Sequence, residues 1–436
     1  MEKVSSPEGA GQPKRRTMGR PFRAWPHFVR NPGRCPGLAW VRPLAFKMKH
    51  WRTCKLGEAL TLKRGHDLPG DTRKDGDVPV VSSSGITGFH NEAKAQAPGV
   101  VTGRYGTIGE VFYLDQDYWP LNTALYVIDF KGTRPKFAAY FLRNVLKDYQ
   151  SDKAAVPGVD RNVLHEITVR VPDAETQRRI EFTLSAYDEL LENNRRRMGL
   201  LEEAARLLYR EWFVRLRFPG HEHTRITNGL PEGWEQIFIG DAIEQGAVNL
   251  QTGPFGTQLK ASDYTEEGTP VINVRNIGYG DLRPDKLEFV PEEIAERLAA
   301  HILRTGDIVF GRKGAVDRHL LVSTAQDGWM QGSDCIRLRV QSNEVSTILL
   351  SFALREPAHH DWMLTQCGNK ATMASLNQDV VARIPLLIPS KTVLREFQAV
   401  ARDVLDQIAI LAKQNQKLRA ARDLLLPRLM SGEIAV

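Results

Sequence analysis

LLEEAARLLYREWF occupies residues 200–213, and KLRAARDLLLPRLM occupies residues 417–430. Leu201, Leu207 and Leu208 in the first stretch correspond to Leu418, Leu424 and Leu425 in the second, always 217 residues later. Two similar helix ends at this separation indicate an internal repeat, in which one long unit occurs twice in the chain. The prediction of the fold starts from that repeat.

A heptad pattern runs through each of the two stretches and the residues before it. Its positions step alternately by four and three, which is the spacing of a seam where one helix packs on another. The second seam follows from the first by adding 217, with polar interruptions at Asn415 and Arg422. The predicted apolar seam residues are Ile180, Leu184, Tyr187, Leu191, Met198, Leu201 and Leu208 in the first helix, and Phe397, Val404, Ile408, Leu411, Leu418 and Leu425 in the second.

Helices of about 40 residues would be about 60 Å long. Their seams need a partner, and each helix is the obvious partner of the other. Antiparallel pairing would place the rest of the two halves at opposite ends of a rod. The alternative is that each helix packs only on the domain before it.

The repeat extends beyond the helices. WRTCKLGEAL at residue 51 resembles WEQIFIGDAI at residue 234, and VTGRYGTIG at residue 101 resembles VFGRKGAVD at residue 309. Short β-rich runs bounded by Gly, Pro or Asp fill both variable parts: VPVVSSS, GVVTGRYG, TALYVIDF, IVFGRKG and CIRLRV. Short helices are expected near residues 136–149 and 292–300.

These patterns predict an α+β protein. It would contain two α/β domains joined by two long helices in an antiparallel coiled coil, as a pseudo-twofold internal repeat. The predicted segments are a basic tail (1–47), a first variable domain (48–172), a central spacer helix (173–216), a connector (217–229), a second variable domain (230–390), and a C-terminal spacer helix and tail (391–436).

The net charge of +7 belongs to the tail. Residues 1–47 carry ten Lys and Arg but two Asp and Glu, so the remaining 389 residues have a net charge of −1. The patternless Arg/Pro composition of the tail is typical of disorder, or of sequence translated from a start placed too early. A basic arm that grips phosphate is the functional alternative. Any DNA site elsewhere must come from a local arrangement of charge.

Four cysteines without a C-x-x-C pair indicate isolated thiols in a reducing compartment, so we expect a cytoplasmic protein. No apolar run is long enough to cross a bilayer. The chain contains no Pro-Pro-aromatic motif of an amino-methyltransferase and no P-loop motif. We therefore predict no catalytic site and no metal site on this chain.

Three stretches resemble the specificity subunits of type I restriction–modification systems. LRAARDLLLPRLMSGEI (418–434) is similar to their closing signature, and ETQRRIEFTLSAYDELLENNRRRMGLLEEAARLLYREWF (175–213) is similar to their central region. LPEGWEQIFIGDAI (230–243) resembles the opening of their second variable domain. The resemblance covers residues 48–436 but not the tail.

The resemblance implies a non-catalytic DNA-recognition subunit. Its two target-recognition domains would each read one half of a bipartite, asymmetric site in double-stranded DNA. The paired helices would set the unread gap and dock two methyltransferase subunits, and ATP-dependent restriction subunits would join them. S-adenosylmethionine, ATP and magnesium would be bound by those partners, with no cofactor on this chain. A stand-alone DNA-binding or scaffold protein built on the same repeat is the alternative.

Base reading needs side chains that offer paired hydrogen bonds, such as Arg for guanine and Asn or Gln for adenine. Loops rich in such residues lie between the predicted strands, and two Gly-Arg-x-Gly turns recur at equivalent places in the halves. A structural hairpin with a solvated arginine is the alternative for those turns. The candidate DNA-binding residues are Ser82, Ser83, Ser84, Thr87, Arg104, Tyr105, Asn122 and Thr123 in the first domain, and Asn273, Arg275, Asn276, Arg312, Lys313, Gln331, Ser333 and Asp334 in the second.

Overall fold

A computed structural model describes residues 51–105, 109–147, 158–314, 316–367 and 375–436. The prediction for the basic tail, residues 1–47, falls outside the described residues. None of the helices within the described ranges combines the length and the apolar character that crossing a membrane requires.

The first half opens with a strand and closes with a helix of 36 residues. Its elements are β1 (Trp51–Lys55), α1 (Leu56–Ala59), β2 (Thr61–Arg64), β3 (Val78–Ser82), β4 (Gly85–His90), β5 (Gly99–Gly103), β6 (Val111–Leu114), β7 (Trp119–Pro120), β8 (Ala124–Asp129), α2 (Pro135–Leu146), α3 (Arg161–Glu166), β9 (Thr168–Pro172) and α4 (Ala174–Tyr209). A short hairpin follows, β10 (Ile226–Thr227) and β11 (Leu230–Pro231).

The second half follows the same plan and closes with a helix of 41 residues. Its elements are β12 (Glu235–Phe238), α5 (Ile239–Glu244), β13 (Val248–Thr252), β14 (Thr269–Ile272), β15 (Tyr279–Gly280), β16 (Glu288–Val290), α6 (Glu292–Arg297), β17 (Ile308–Gly311), β18 (His319–Leu321), β19 (Met330–Gln331), β20 (Cys335–Val340), α7 (Thr347–Ala353), α8 (Pro357–Gln366), α9 (Gln378–Ala382), β21 (Pro385–Ile388) and α10 (Lys391–Ser431).

The prediction of mixed helices and strands is confirmed. Each of the five quoted β-rich runs contains a strand (β3, β5, β8, β17 and β20), and α2 and α6 overlap the two predicted short helices. The core strands are apolar because both of their faces are covered. Every residue of β5 is buried, and so is every residue of β17.

The two halves share one strand order. The larger sheets read β2-β8-β5-β6 in the first half and β13-β20-β17-β18-β15 in the second. The smaller sheets read β4-β3-β7 and β16-β14-β19. In each smaller sheet the central strand pairs antiparallel with one neighbour and parallel with the other. The two halves therefore have the same strand order, with β15 added at one edge of the second.

A separate pair of strands closes each domain at its base. β1 pairs antiparallel with β9, bringing Trp51 opposite Pro172. β12 pairs antiparallel with β21, bringing Glu235 opposite Ile388. The chain therefore enters and leaves each domain at the same place, directly before a long helix.

The ends of the long helices follow from local sequence. Asp173 caps α4, because its carboxylate accepts a hydrogen bond of 2.8 Å from the Thr176 amide. α10 starts two residues after Pro389 and ends before Gly432, which takes the left-handed conformation of a helix C-cap. Pro427 lies inside α10, so this proline does not end the helix.

α4 and α10 pack side by side and run in opposite directions. Ile180, near the start of α4, shares a core with Leu429, near the end of α10. Tyr209, at the end of α4, shares a core with Phe397, near the start of α10. Every predicted seam residue is buried or half-buried. The first of these two cores also contains buried residues of the first domain, and the other contains residues of α7 in the second domain. Each domain therefore packs on both helices.

Polar residues interrupt the apolar contact between the helices at two levels. Midway, Asn194 donates a hydrogen bond of 3.0 Å to the side-chain oxygen of Asn415, and both residues are buried. One buried Asn pair in an apolar seam favours a single register, because any shift would leave the amides unpaired. Nearer the first domain, Arg422 pairs with Asp188 at 2.6 Å.

The ion pair between the helices also reaches the first domain. The Tyr140 hydroxyl on α2 donates a hydrogen bond of 2.5 Å to Asp188. Burial and this bond both raise the pKa of Tyr140. Burial alone would lower the pKa of Arg422, but its hydrogen bonds to Asp188 and Asp423 outweigh that effect and raise it. At the other end, Arg210 pairs with Glu356 at 3.0 Å and ties the second domain to the helices.

The segment between the halves contains local structure. Phe213 and Phe218 pack on Trp234 at the base of the second domain. β10 and β11 then form a hairpin whose turn residues, Asn228 and Gly229, both have positive φ, as the tightest hairpin turn requires.

Candidate nucleic-acid interface

Four backbone segments of the first domain meet beyond the ends of its larger sheet. The Arg104 amide donates to the Thr123 carbonyl at 2.9 Å, and the Val159 amide donates to the Arg104 carbonyl at 2.8 Å. The Gly65 amide, just after β2, donates to the Ala124 carbonyl at 3.1 Å. We call the segments 65–67, 104–105, 121–123 and 158–159 the first loop cluster.

The second domain repeats these contacts. The Arg312 amide donates to the Asp334 carbonyl at 2.8 Å, and the Leu376 amide donates to the Arg312 carbonyl at 2.8 Å. The Gly253 amide, just after β13, donates to the Cys335 carbonyl at 2.9 Å. We call the segments 253–258, 312–314, 332–334 and 375–378 the second loop cluster. The two Gly-Arg turns thus occupy the same hydrogen-bonded position in both halves.

A glycine allows the closest backbone approach in each cluster. A Cβ atom on Gly65 would lie 2.2 Å from the Leu121 carbonyl oxygen. A Cβ atom on Gly253 would lie 1.9 Å from the Gly332 carbonyl oxygen. Any other residue would push these segments apart, so both glycines are needed for the loops to meet.

The turn that follows the central strand of the smaller sheet lies beside each cluster. In the first domain the Leu121 amide donates to the Val81 carbonyl at 2.8 Å, directly before Ser82. In the second domain the Gly332 amide donates to the Ile272 carbonyl at 2.9 Å, directly before Asn273. The structure therefore brings all the candidate residues of each domain to one end of that domain.

Several candidate side chains present charge or π-surface at the clusters. The Arg104 guanidinium lies over the exposed ring of Tyr105, 4.5 Å from its centroid. Lys313 pairs with Asp334 at 2.9 Å. Arg275 pairs with Glu288 at 2.5 Å. These contacts orient the cations and leave donors for further partners, since Lys and Arg carry three and five N–H groups.

Asparagines at the edges of the clusters bind neighbouring carboxylates. Asn122 donates to Asp67, which also lies 3.8 Å from Arg64. Asn273 donates to Glu288 at 2.7 Å. Ser83 and Ser333 are half-buried, Ser84 and Thr87 are exposed on the β3–β4 hairpin, and Thr123 is half-buried in its loop.

Three candidate side chains are withdrawn from the surface, which corrects their interpretation as base readers. Ser82 is buried and bonds within the β3–β4 turn, to the Ser84 amide and the Gly85 carbonyl. Asn276 donates to the carbonyls of Arg283 and Asp285. Gln331 donates to the carbonyls of Gln251 and Cys335. Asn276 and Gln331 are fully buried, because polar side chains were needed there to satisfy loop backbone.

Two ionisable side chains beside the clusters, Cys335 and His66, have shifted pKa values. Burial raises the pKa of Cys335 to about 12, so its thiol stays protonated and unreactive at neutral pH. Burial, together with Lys63 and Lys94, lowers the pKa of His66 in the first cluster. A neutral His66 both donates and accepts. Among the described residues, no group of three or more His, Cys, Asp or Glu is arranged to hold a metal ion.

Sequence reasoning missed the loops that begin at Gly65 and Gly253. In the structure each of these glycines directly follows a strand, β2 or β13, and a Gly in that place often marks a close approach of two backbones. Sequence reasoning also missed Phe255, whose side chain is exposed. Phe255 follows Gly253 and Pro254 and precedes Gly256.

Comparison with known proteins agrees with this architecture. Residues 48–202 match the family described as Type I restriction modification DNA specificity domain. The chain is 22% identical over 297 residues to the type I restriction enzyme MjaVIII specificity subunit of Methanocaldococcus jannaschii, covering 66% of this chain and 67% of that protein. It is 21% identical over 430 residues to the type I restriction enzyme HindI specificity subunit of Haemophilus influenzae, covering 84% and 89%.

The fold is also similar to a solved structure. The S subunit of a type I restriction–modification system from M. genitalium superposes with a TM-score of 0.55 at 18% identity, covering 87% of this chain and 96% of that one. The family match of residues 48–202 and the two curated relatives make this chain similar to type I restriction–modification specificity subunits, and the solved structure shows that it shares their fold.

Proposed function

We propose that each target-recognition domain reads one half of a bipartite, asymmetric site in double-stranded DNA through its loop cluster. The observation that carries this proposal is the repetition of one loop arrangement, hydrogen bond for hydrogen bond, at the same end of both domains. The scaffolds match while the side chains differ, with Arg104 and Tyr105 in one cluster and Arg312 and Lys313 in the other. Matching scaffolds with different side chains suit the reading of two different half-sites.

We further propose that α4 and α10 form an antiparallel coiled coil with pseudo-twofold symmetry, which sets the unread gap between the half-sites. The shared strand order of the two halves and the buried Asn194–Asn415 pair near the middle of both helices support this symmetry. Because each domain packs on both helices, the length of the helix pair governs the separation of the domains.

The same symmetry would supply docking surfaces for two identical methyltransferase subunits. Leu207 on α4 is 52% exposed, and Leu424, its counterpart 217 residues later on α10, is 71% exposed. Each leucine would contact one methyltransferase subunit, and ATP-dependent restriction subunits would join that assembly. S-adenosylmethionine, ATP and magnesium would then act on those partners, and this chain alone would catalyse neither methylation nor cleavage.

Methylation mapping tests the proposed function. Cells carrying this chain together with its methyltransferase subunit should methylate one bipartite motif, two short half-sites separated by unread bases. Cells with the methyltransferase subunit alone, and reactions with this chain alone, should show no such motif. Methylation of the same motif without this chain would contradict the proposal.

A further inference from the structure

Phe255 is an exposed aromatic residue at the edge of the second loop cluster. It lies on the segment that leaves β13 and is 65% exposed. Glycine stands two residues before it and directly after it, and Gly256 has a φ of +63°. Small neighbours make a narrow loop from which a large apolar ring projects. A single exposed apolar residue needs no explanation by itself, so its setting decides its role.

The loop that carries Phe255 is held at both ends. At its start, the Gly253 amide donates to the Cys335 carbonyl. Gly253 lies so close to the Gly332 carbonyl that a Cβ atom on Gly253 would not fit. At its end, the Gln258 amide donates to the Phe255 carbonyl at 3.3 Å. The Arg297 guanidinium donates to the Gln258 carbonyl at 3.1 Å. The ring is therefore presented by a preorganised turn rather than by a loose end.

The setting of the loop points to nucleic acid. Gly253 touches Gly332, the residue before Ser333 and Asp334, and Gln378 donates to Thr252 at 2.9 Å on the other side. Lys260 follows on the same segment, and Lys313 belongs to the same cluster. Cations of this kind suit the phosphates of a DNA backbone, while an exposed apolar ring suits the bases.

We propose that Phe255 is a wedge that enters the second half-site and partly unstacks one base step. This inference rests on the proposed function and deepens it. Apolar side chains inserted between base pairs make binding depend on how easily the sequence unstacks, so the ring adds specificity without a hydrogen bond.

The first domain provides an internal control. Counting from the contact glycine, Asp67 occupies in the first cluster the place that Phe255 occupies in the second. Asp67 accepts a hydrogen bond from Asn122. A carboxylate cannot stack between bases, and the Tyr105 ring of the first cluster is already stacked against the Arg104 guanidinium, so unstacking is expected at one half-site and absent from the other.

The experiment uses the complex of this chain with its methyltransferase subunit and duplexes carrying 2-aminopurine. The probe stands either in the half-site read by the first domain or in the half-site read by the second. Wild-type protein should raise the fluorescence of the second probe and leave the first unchanged. Phe255→Ala should abolish the rise and weaken binding by about tenfold, the scale of one aromatic–base stack. Phe255→Trp should keep the rise.

Phe238→Ala is the matched control, because Phe238 is also an exposed phenylalanine but lies on β12 at the base of the domain. It should leave both signals and the affinity unchanged. Thermal unfolding of each variant shows whether a loss of signal reflects a loss of fold.

The outcomes separate the two proposals. If the wild-type complex binds no duplex specifically, the proposed function fails and the wedge fails with it. If the wild-type complex binds its site but the second probe stays silent, the wedge alone is wrong. A lost preference for one thymine in Phe255→Ala without any fluorescence change would assign the ring to a methyl contact instead.

Discussion

Arg104 and Arg312 carry the sharpest prediction at the scale of single residues. Both begin a turn held by equivalent backbone hydrogen bonds, so their side chains start from equivalent positions. If each arginine binds guanine through two hydrogen bonds, replacement by alanine should cost roughly 1–3 kcal/mol of binding free energy. Arg104→Ala should relax one half-site and Arg312→Ala the other, as measured by binding to libraries of randomised half-sites.

Arg52→Ala is the control for these two variants, since Arg52 is exposed on β1 at the base of the first domain. A uniform loss of affinity on all sequences would show that Arg104 or Arg312 contacts phosphate. Unchanged binding in both variants would mean that these turns are structural hairpins only.

The sequence predicted which residue types would gather at the clusters but not which of them would be exposed. Asn273 and Asn276 belong to the same short stretch, yet Asn273 faces Glu288 while Asn276 is fully buried. Whether a polar side chain reads DNA or satisfies a loop carbonyl depends on contacts such as Asn276 with Arg283, and no local pattern encodes those contacts.

At the scale of elements, Leu207 and Leu424 test the docking of two methyltransferase subunits. Replacing a central apolar contact with a polar residue should weaken the interface that it belongs to. Leu207→Ser should release one methyltransferase subunit, Leu424→Ser the other, and the double variant both. Native mass spectrometry of the reconstituted complex measures the stoichiometry directly.

Leu200→Ser is the matched control for the docking variants. Leu200 is 60% exposed on α4, but its counterpart at 217 residues' distance is Lys417, so it has no apolar twin. It should leave two methyltransferase subunits bound. Two subunits retained by the Leu207/Leu424 double variant would remove these residues from the interface.

The helices were the most predictable elements, because a heptad seam is a local pattern repeated over many residues. The partners of its polar interruptions were not predictable. Arg422 looks like a flaw in the seam, but in the fold it binds Asp188, which also accepts a hydrogen bond from Tyr140. Strand order was out of reach for the same reason, since pairings such as β2 with β8 join residues more than 60 positions apart.

At the scale of the whole molecule, the length of the helix pair should determine the unread gap. Four residues inserted after Asn194 add about 6 Å to α4 and keep the seam nearly in phase. At about 3.4 Å per base pair, the gap should widen by one or two base pairs while both half-sites stay unchanged. Methylation mapping of the variant complex reads the new gap.

The control insertion goes into the exposed turn at Asn228 and Gly229, where it lengthens the connector without touching the helices. It should leave the gap as it was. If the single helix insertion prevents assembly, a matching insertion directly before Asn415 should restore pairing and widen the gap, because that part of α10 faces the residues after Asn194. An assembled complex with a longer helix and an unchanged gap would contradict the prediction.

The strand pairs at the base of the two domains have a consequence for how such a chain changes over evolutionary time. Because β1 lies beside β9, and β12 beside β21, each domain is attached through two adjacent strands. Everything between those strands can be exchanged as a cassette without altering the path of the chain into the long helix. One recombination event would therefore change the half-site that one domain reads. The long helices, and with them the separation of the two domains, would stay the same.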